Sequence, residues 1–222
     1  MNKKKILLIQ LLITALPLIY MLIIWNQIPD TVPIHFDEDF IADGFDSKWK
    51  LLMIIGFIST VTFMVSTAIL NINKIDPKHK DITPGNTLIK LSWTLTFFLT
   101  VISSYAIRLS TSYNENMPTA ESKFLFLVLA LFFASLGNLF NNIKPNYFIG
   151  IRVPWTLENE DNWRKTHHLG AKLWFFGGLV LFALILFIPK AWVFTLFIGF
   201  VAILTIIPIA YSYWLYRQKL VD

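Results

Sequence analysis

The chain has 222 residues, of which 55% are hydrophobic, with 20 Phe and 8 Trp, only 15% charged residues and a formal net charge of +5. Soluble domains carry about 25% charged residues, so this composition excludes an ordinary water-soluble protein. The absence of Cys removes disulfides and thiolate metal sites, and no nucleic-acid-binding motif or cofactor signature is present.

A helix that crosses a hydrocarbon layer needs about 20 apolar residues. Six stretches meet that length or approach it: 6–25, 50–70, 88–107, 123–142, 172–188 and 192–214. Runs such as "ILLIQLLITALPLIYMLIIW" are apolar all round and do not alternate, which argues against a β-barrel. The expectation is an all-α integral membrane protein with six transmembrane helices. It forms a single membrane domain over 1–222, with a helix pair in 1–70 and a four-helix core in 88–214.

The first stretch follows "MNKKK" and reads as an anchor. Its run exceeds the core of a typical signal peptide, and no small-x-small cleavage site follows it. Placing the N-terminus inside leaves only Lys48, Lys50, Arg108, Lys123 and Lys190 of the 19 Lys and Arg on the outer side. Positive residues collect on the cytoplasmic face, so both termini are expected there, where basic side chains also meet anionic lipid headgroups.

Residues 26–49, "NQIPDTVPIHFDEDFIADGFDSKW", form the first long connector, placed outside. It is dense in acidic residues, and its apolar residues are expected to pack at the membrane surface. His35 beside Asp37 and Asp39 admits two roles, a proton-sensing or hydrogen-bonding group and a weak metal ligand set, and no metal site is assigned. The links 71–87 and 108–122 are polar and are punctuated by Pro77, Pro84, Gly85 and Pro118.

Polar residues mark the third and fourth spans. Ser92, Thr94, Thr96, Thr100, Ser103 and Ser104 lie in the third, and Ser135, Asn138 and Asn142 fall at helical offsets on one face of the fourth. Both interhelical hydrogen bonding and a ligand-lined cavity remain open for them. Pro17 and Pro208 lie inside spans, Gly177 and Gly178 permit close helix packing, and the short turn "PKA" makes the last two spans an antiparallel hairpin.

The second long connector, 143–171, is placed inside and opens "KPNYFIGIRVPWT" from Lys144. Glu158, Glu160 and Asp161 precede Arg164, Lys165, His167 and His168, an order that suits a helix dipole, so a short interfacial helix is expected over 157–168 with Thr156 as its N-cap. Glu160, Trp163 and His167 would share a face. Trp155 and Trp163 read either as interfacial anchors or as part of a functional surface, and Arg152 suits a phospholipid headgroup, the Glu160 carboxylate or an anionic ligand. No nucleophile and base can be paired, so no enzyme activity is assigned.

The stretch 137–174, "GNLFNNIKPNYFIGIRVPWTLENEDNWRKTHHLGAKLW", resembles the signature of the SdpI family of bacterial membrane proteins. "IPIHFDEDFIADGFDSK" is similar to the N-terminal domain of unknown function that accompanies it. Pro33, His35, Asp43 and Lys48 match the outer pattern. Asn138, Lys144, Asn146, Gly150, Arg152, Pro154, Trp155, Thr156, Trp163, Thr166 and His167 match the inner one. Phe40 stands where Gly is usual, Asn141 where Pro is, Val153 where Thr is common and His168 where Arg is.

The resemblance implies immunity to a secreted peptide toxin in a Gram-positive cell and capture of a cytoplasmic autorepressor at the membrane, without direct nucleic-acid binding. The alternative is a membrane enzyme or small-molecule carrier with a site near Asn138, Arg152 and His167.

Overall fold

The computed structural model describes residues 2–37, 40–77, 83, 85–113 and 122–218. Glu38, Asp39, Pro84, Pro118 and Lys219 lie outside the described residues. Eight α-helices, two short 3-10 turns (Trp25–Gln27 and Lys190–Trp192) and one hairpin appear among the described residues. The order is α1 (Lys3–Ile23), β1 (Thr31–Phe36), β2 (Ala42–Ser47), α2 (Lys48–Leu70), α3 (Ile72–Ile75), α4 (Gly85–Thr111), α5 (Ser122–Phe140), α6 (Pro154–Glu158), α7 (Glu160–Phe187) and α8 (Val193–Gln218). Six helices are long and apolar enough to cross a membrane. Two compact units divide the chain, one of residues 1–68 and 92–125, the other of 69–91 and 126–222.

In the first unit, α1, α2 and α4 join through small polar side chains. Gln10 Nε2 donates to Ser92 Oγ at 3.0 Å, and the Ser66 and Thr96 hydroxyls bond at 2.9 Å, all four residues being buried. Interhelical hydrogen bonding is thus the observed use of Ser92 and Thr96. Met21, Ile28, Val32, Leu51, Ile55 and Ile107 form the apolar core that seats the 26–49 loop on the helix ends.

That loop is a two-stranded antiparallel sheet, an element the apolar-run reading did not contain. Thr31 pairs with Ser47 and Val32 with Asp46, and the register shifts on either side of His35. Pro33 fits because both strands of an isolated hairpin are edges. Phe36 and Phe45 meet Tyr113 edge-on at 5.8 and 6.3 Å, and the Ala42 N–H donates to the Tyr113 hydroxyl at 3.2 Å.

In the second unit, α5, α7 and α8 pack closely. A Cβ on Gly137 would lie 2.3 Å from the Phe175 nitrogen, and one on Gly178 2.6 Å from the Ala134 nitrogen, so the α5 and α7 backbones cross where only Gly fits. The pair α7 and α8 forms the expected hairpin around Lys190–Trp192, with Trp174 Nε1 donating to the Leu204 carbonyl at 2.9 Å.

Two expectations are corrected here. There is no separate 157–168 helix: α6 ends at Glu158, Asn159 is extended, and α7 runs unbroken through the fifth span. Asn159 is the N-cap, its side chain accepting the Asn162 N–H, while Gly170 packs on Ile151 and does not end the helix. Thr156 is likewise not an N-cap. Val153 holds that place, Pro154 follows at the first helical position, and Thr156 reaches back from the third.

Candidate functional site

The connector between α5 and α7 is tied by side chains that satisfy its backbone. Asn146, 3% exposed, accepts the N–H groups of Phe148 and Ile149 at 2.8 and 2.7 Å and donates to the carbonyls of Lys144 and Ile149 at 2.8 and 3.1 Å. All four hydrogen-bonding positions of its amide are used inside one turn. This chain segment has no regular structure, so Asn146 supplies what a helix or strand would have supplied.

His167 and Trp163 stand on adjacent turns of α7 and stack at 4.0 Å and 17°. Trp163 Nε1 donates to the Ile143 carbonyl at 2.9 Å. The Ile151 N–H donates to His167 Nε2 at 3.0 Å, so Nε2 is unprotonated and Nδ1–H donates to the Trp163 carbonyl at 2.9 Å. Both ring nitrogens are therefore occupied. Gly150 completes the arrangement: its φ is +114°, and a Cβ there would lie 2.3 Å from His167 Nε2.

Thr156 Oγ1 accepts the Val153 N–H at 3.1 Å and donates to the Ile151 carbonyl at 2.8 Å. Trp155 is half-buried, and its Nε1 donates to Ser212 Oγ on α8 at 2.8 Å. Thr166 donates to Asn162 Oδ1 at 3.0 Å, and Asn162 Nδ2 donates to the Ser212 carbonyl at 2.9 Å. Asn162 and Ser212 were not read from the sequence. Asn162 could have been found, because it precedes Thr166 by one helical turn beside Trp163 and His167, whereas Ser212 lies in a remote span with no motif around it.

Asn146, Thr156, Trp163, Thr166 and His167 thus form a buried knot, and Lys144 and Arg152 stand exposed on it. Trp163 at 2% exposure is a core residue and not an interfacial anchor. Glu160 is exposed, apart from the buried face of Trp163 and His167. Arg152 donates to the Tyr147 carbonyl and not to Glu160. Asn138 and Asn142 are exposed, and Ser135 bonds its own helix at the Leu131 carbonyl. They lie toward the end of α5 or beyond it, where partners outside the bundle can serve them. Asn138 and Arg152 do not line the cleft that reaches His167, so that cleft does not bring together the three residues of the carrier or enzyme reading.

In the hairpin, His35 Nδ1 and Asp43 Oδ1 are 2.5 Å apart and well exposed. Lys48 Nζ lies 3.0 Å from Asp30 Oδ1, 3.3 Å from the Ile28 carbonyl and 5.1 Å over the Trp25 ring, closing the loop at its base. Pro33 is buried in β1. Among the described residues no group of three His, Cys, Asp or Glu converges as a metal site.

Residues 142–212 match the model of the SdpI/YfhL protein family, and residues 12–60 match that of DUF1648, a domain of unknown function. The chain is SdpI-like. The immunity protein SdpI of Bacillus subtilis (strain 168) is 22% identical to it over 213 residues, which cover 95% of each chain. No solved structure matches. The SdpI-like segment contains the whole knot, from Asn146 to Ser212, and the DUF1648 segment contains Pro33, His35, Asp43 and Lys48. With its six apolar helices and this resemblance, the chain is a multi-pass membrane protein.

Proposed function

We propose that this protein confers immunity to a secreted antimicrobial peptide toxin and that its 143–171 connector also docks a cytoplasmic repressor. The observation that carries the reading is the likeness to an immunity protein along nearly the full length of both chains. The knot supports the second part. Asn146, Gly150 and His167 fix the loop from behind, and Lys144, Tyr147, Phe148 and Arg152 are left exposed as a mixed cationic and apolar edge. Such an edge suits contact with a protein surface.

The test is survival of a toxin-sensitive Gram-positive strain that expresses the protein, challenged with the family's peptide toxin and with an unrelated pore former. A reporter of the repressor is followed in parallel. Selective protection is expected, and Arg152→Ala should abolish derepression while protection persists. No protection at verified membrane expression would reject immunity to that toxin. Joint loss of protection and reporter response in Arg152→Ala would reject a separate docking edge.

A further inference from the structure

Helix α7 has two unlike flanks at its polar end. Asn162, Trp163, Thr166, His167 and Gly170 are buried, whereas Arg164, Lys165, His168 and Lys172 recur at helical steps on an exposed flank. That flank is one wall of an open cleft of ≈ 1050 Å³, whose other wall includes Asn141 and Lys144. His168 Nδ1 and Asn141 Oδ1, 3.0 Å apart, join the two walls.

The cleft is cationic after its internal pairs are counted. Asp161 already holds Arg164 at 2.7 Å and Lys165 at 2.8 Å. Its four cations, Lys144, Arg164, Lys165 and Lys172, face two carboxylates, Glu160 and Asp161, an excess of two positive charges. Neither Lys144 nor Lys172 has a carboxylate partner among the described residues.

Depth selects the kind of anion. A helix of 28 residues is roughly 42 Å long, about 12 Å more than the hydrocarbon layer. Counting back from Phe187, that layer is used up near His168. Arg164 and Lys165 then stand at headgroup level, and Lys172 starts one turn below with a stem long enough to bring its ammonium up to the same level. A cation rooted below the boundary whose ammonium reaches headgroup level lies along the path of a phosphate carried on acyl chains, which favours a lipid over a soluble anion.

We propose that this cleft binds the phosphate of an anionic phospholipid from the adjoining leaflet, with Lys144 and Lys172 as its two unpaired cations. The proposal does not depend on the immunity reading.

The test is native mass spectrometry of the full chain in detergent with phosphatidylglycerol or phosphatidylcholine of matched acyl chains. Retention of phosphatidylglycerol over phosphatidylcholine is expected. The double variant Lys144→Gln/Lys172→Gln should lower phosphatidylglycerol affinity roughly twenty-five-fold, at about fivefold per cation. Both side chains are exposed, so the fold is preserved, and the control Lys4→Gln/Lys5→Gln makes the same charge change at exposed positions outside the cleft. Equal losses in the two double variants, or equal retention of the two lipids, would overturn the proposal. Displacement of phosphatidylglycerol by millimolar inorganic phosphate would overturn its lipid source and leave a site for free anions.

Discussion

The 143–171 connector and the 26–49 loop hold their shapes by different chemistry. The connector is irregular, and buried side chains take over its backbone hydrogen bonds: Asn146 with four, His167 with Ile151, Trp163 with Ile143. The loop bonds strand to strand, and its conspicuous polar pairs, His35 with Asp43 and Lys50 with Asp46, are largely exposed. Buried partners cannot be replaced by water, so loss of one leaves an unsatisfied group, while exposed pairs contribute little. A conspicuous polar motif therefore means structural necessity in the connector and permits a surface role in the hairpin.

Paired tryptophans give the largest expected contrast. Trp163 is 2% exposed and Trp49 is 61% exposed, packed edge-on against Trp25 at 4.6 Å. Trp163→Ala should destabilise by roughly 3–5 kcal/mol through cavity formation and the orphaned Ile143 carbonyl, and Trp49→Ala by about 1 kcal/mol or less. Denaturant titration in detergent micelles measures both. Similar losses would end the distinction between the two loops.

Each region also has a residue at positive φ, and the two are occupied in opposite ways: Gly150 at +114° and Phe40 at +63°. Gly150→Ala should cost roughly 2–4 kcal/mol, because the new Cβ displaces the imidazole that holds the Ile151 N–H. In a His167→Ala background the same change should cost less, since its closest clash is gone and only the tighter-than-usual approach to the Trp163 ring remains. Additive losses in that double-mutant cycle would show that backbone strain alone is responsible.

Phe40 sits where the resembled pattern has Gly, and the left-handed backbone supplies the reason. Phe40→Gly should stabilise the turn by roughly 0.5 kcal/mol, the relief of strain minus the entropy of Gly, and slow exchange of the Ile41 amide about twofold. That amide donates to Asp37 Oδ1 at 2.8 Å. Faster exchange would mean that contacts of the half-buried Phe40 ring outweigh the strain.

The spans were legible because apolar run length is a one-dimensional signal: five of the six helices begin within a few residues of their expected starts. The fifth starts at Glu160, well before the expected 172, because Gly170 between the polar and apolar turns does not break the helix and the apolar run alone hid their continuity. The hairpin stayed hidden behind Pro33, Gly44 and dense acidic residues, since its strands close by pairing and not by a clean alternation of apolar side chains. Motif residues were found, yet whether each was surface or core was not. Trp163 looked like an anchor until its carbonyl partner, twenty residues back, placed it inside.

The smallest expected effect tests the exposed side of the comparison. Lys50, hydrogen-bonded to Asp46 at 2.6 Å, and then the Ser47 N–H at 2.7 Å hold the Asp46 carboxyl below its usual 3.8. A carboxyl depressed in the folded state adds stability that is full above its unfolded pKa and is lost as pH falls through the lower folded value. Hairpin protection should therefore be flat from neutral pH to about 4 and decline only below it. In Lys50→Met the Asp46 midpoint should rise toward the ordinary value, because the partner that favours the charged form is gone, and an NMR titration of the carboxyl reads it directly. An unmoved midpoint would assign the depression to the Ser47 amide and make Lys50 an exposed charge without influence on the hairpin. The same change should leave the connector untouched, since Asn146 and His167 hold it without any exposed ion pair.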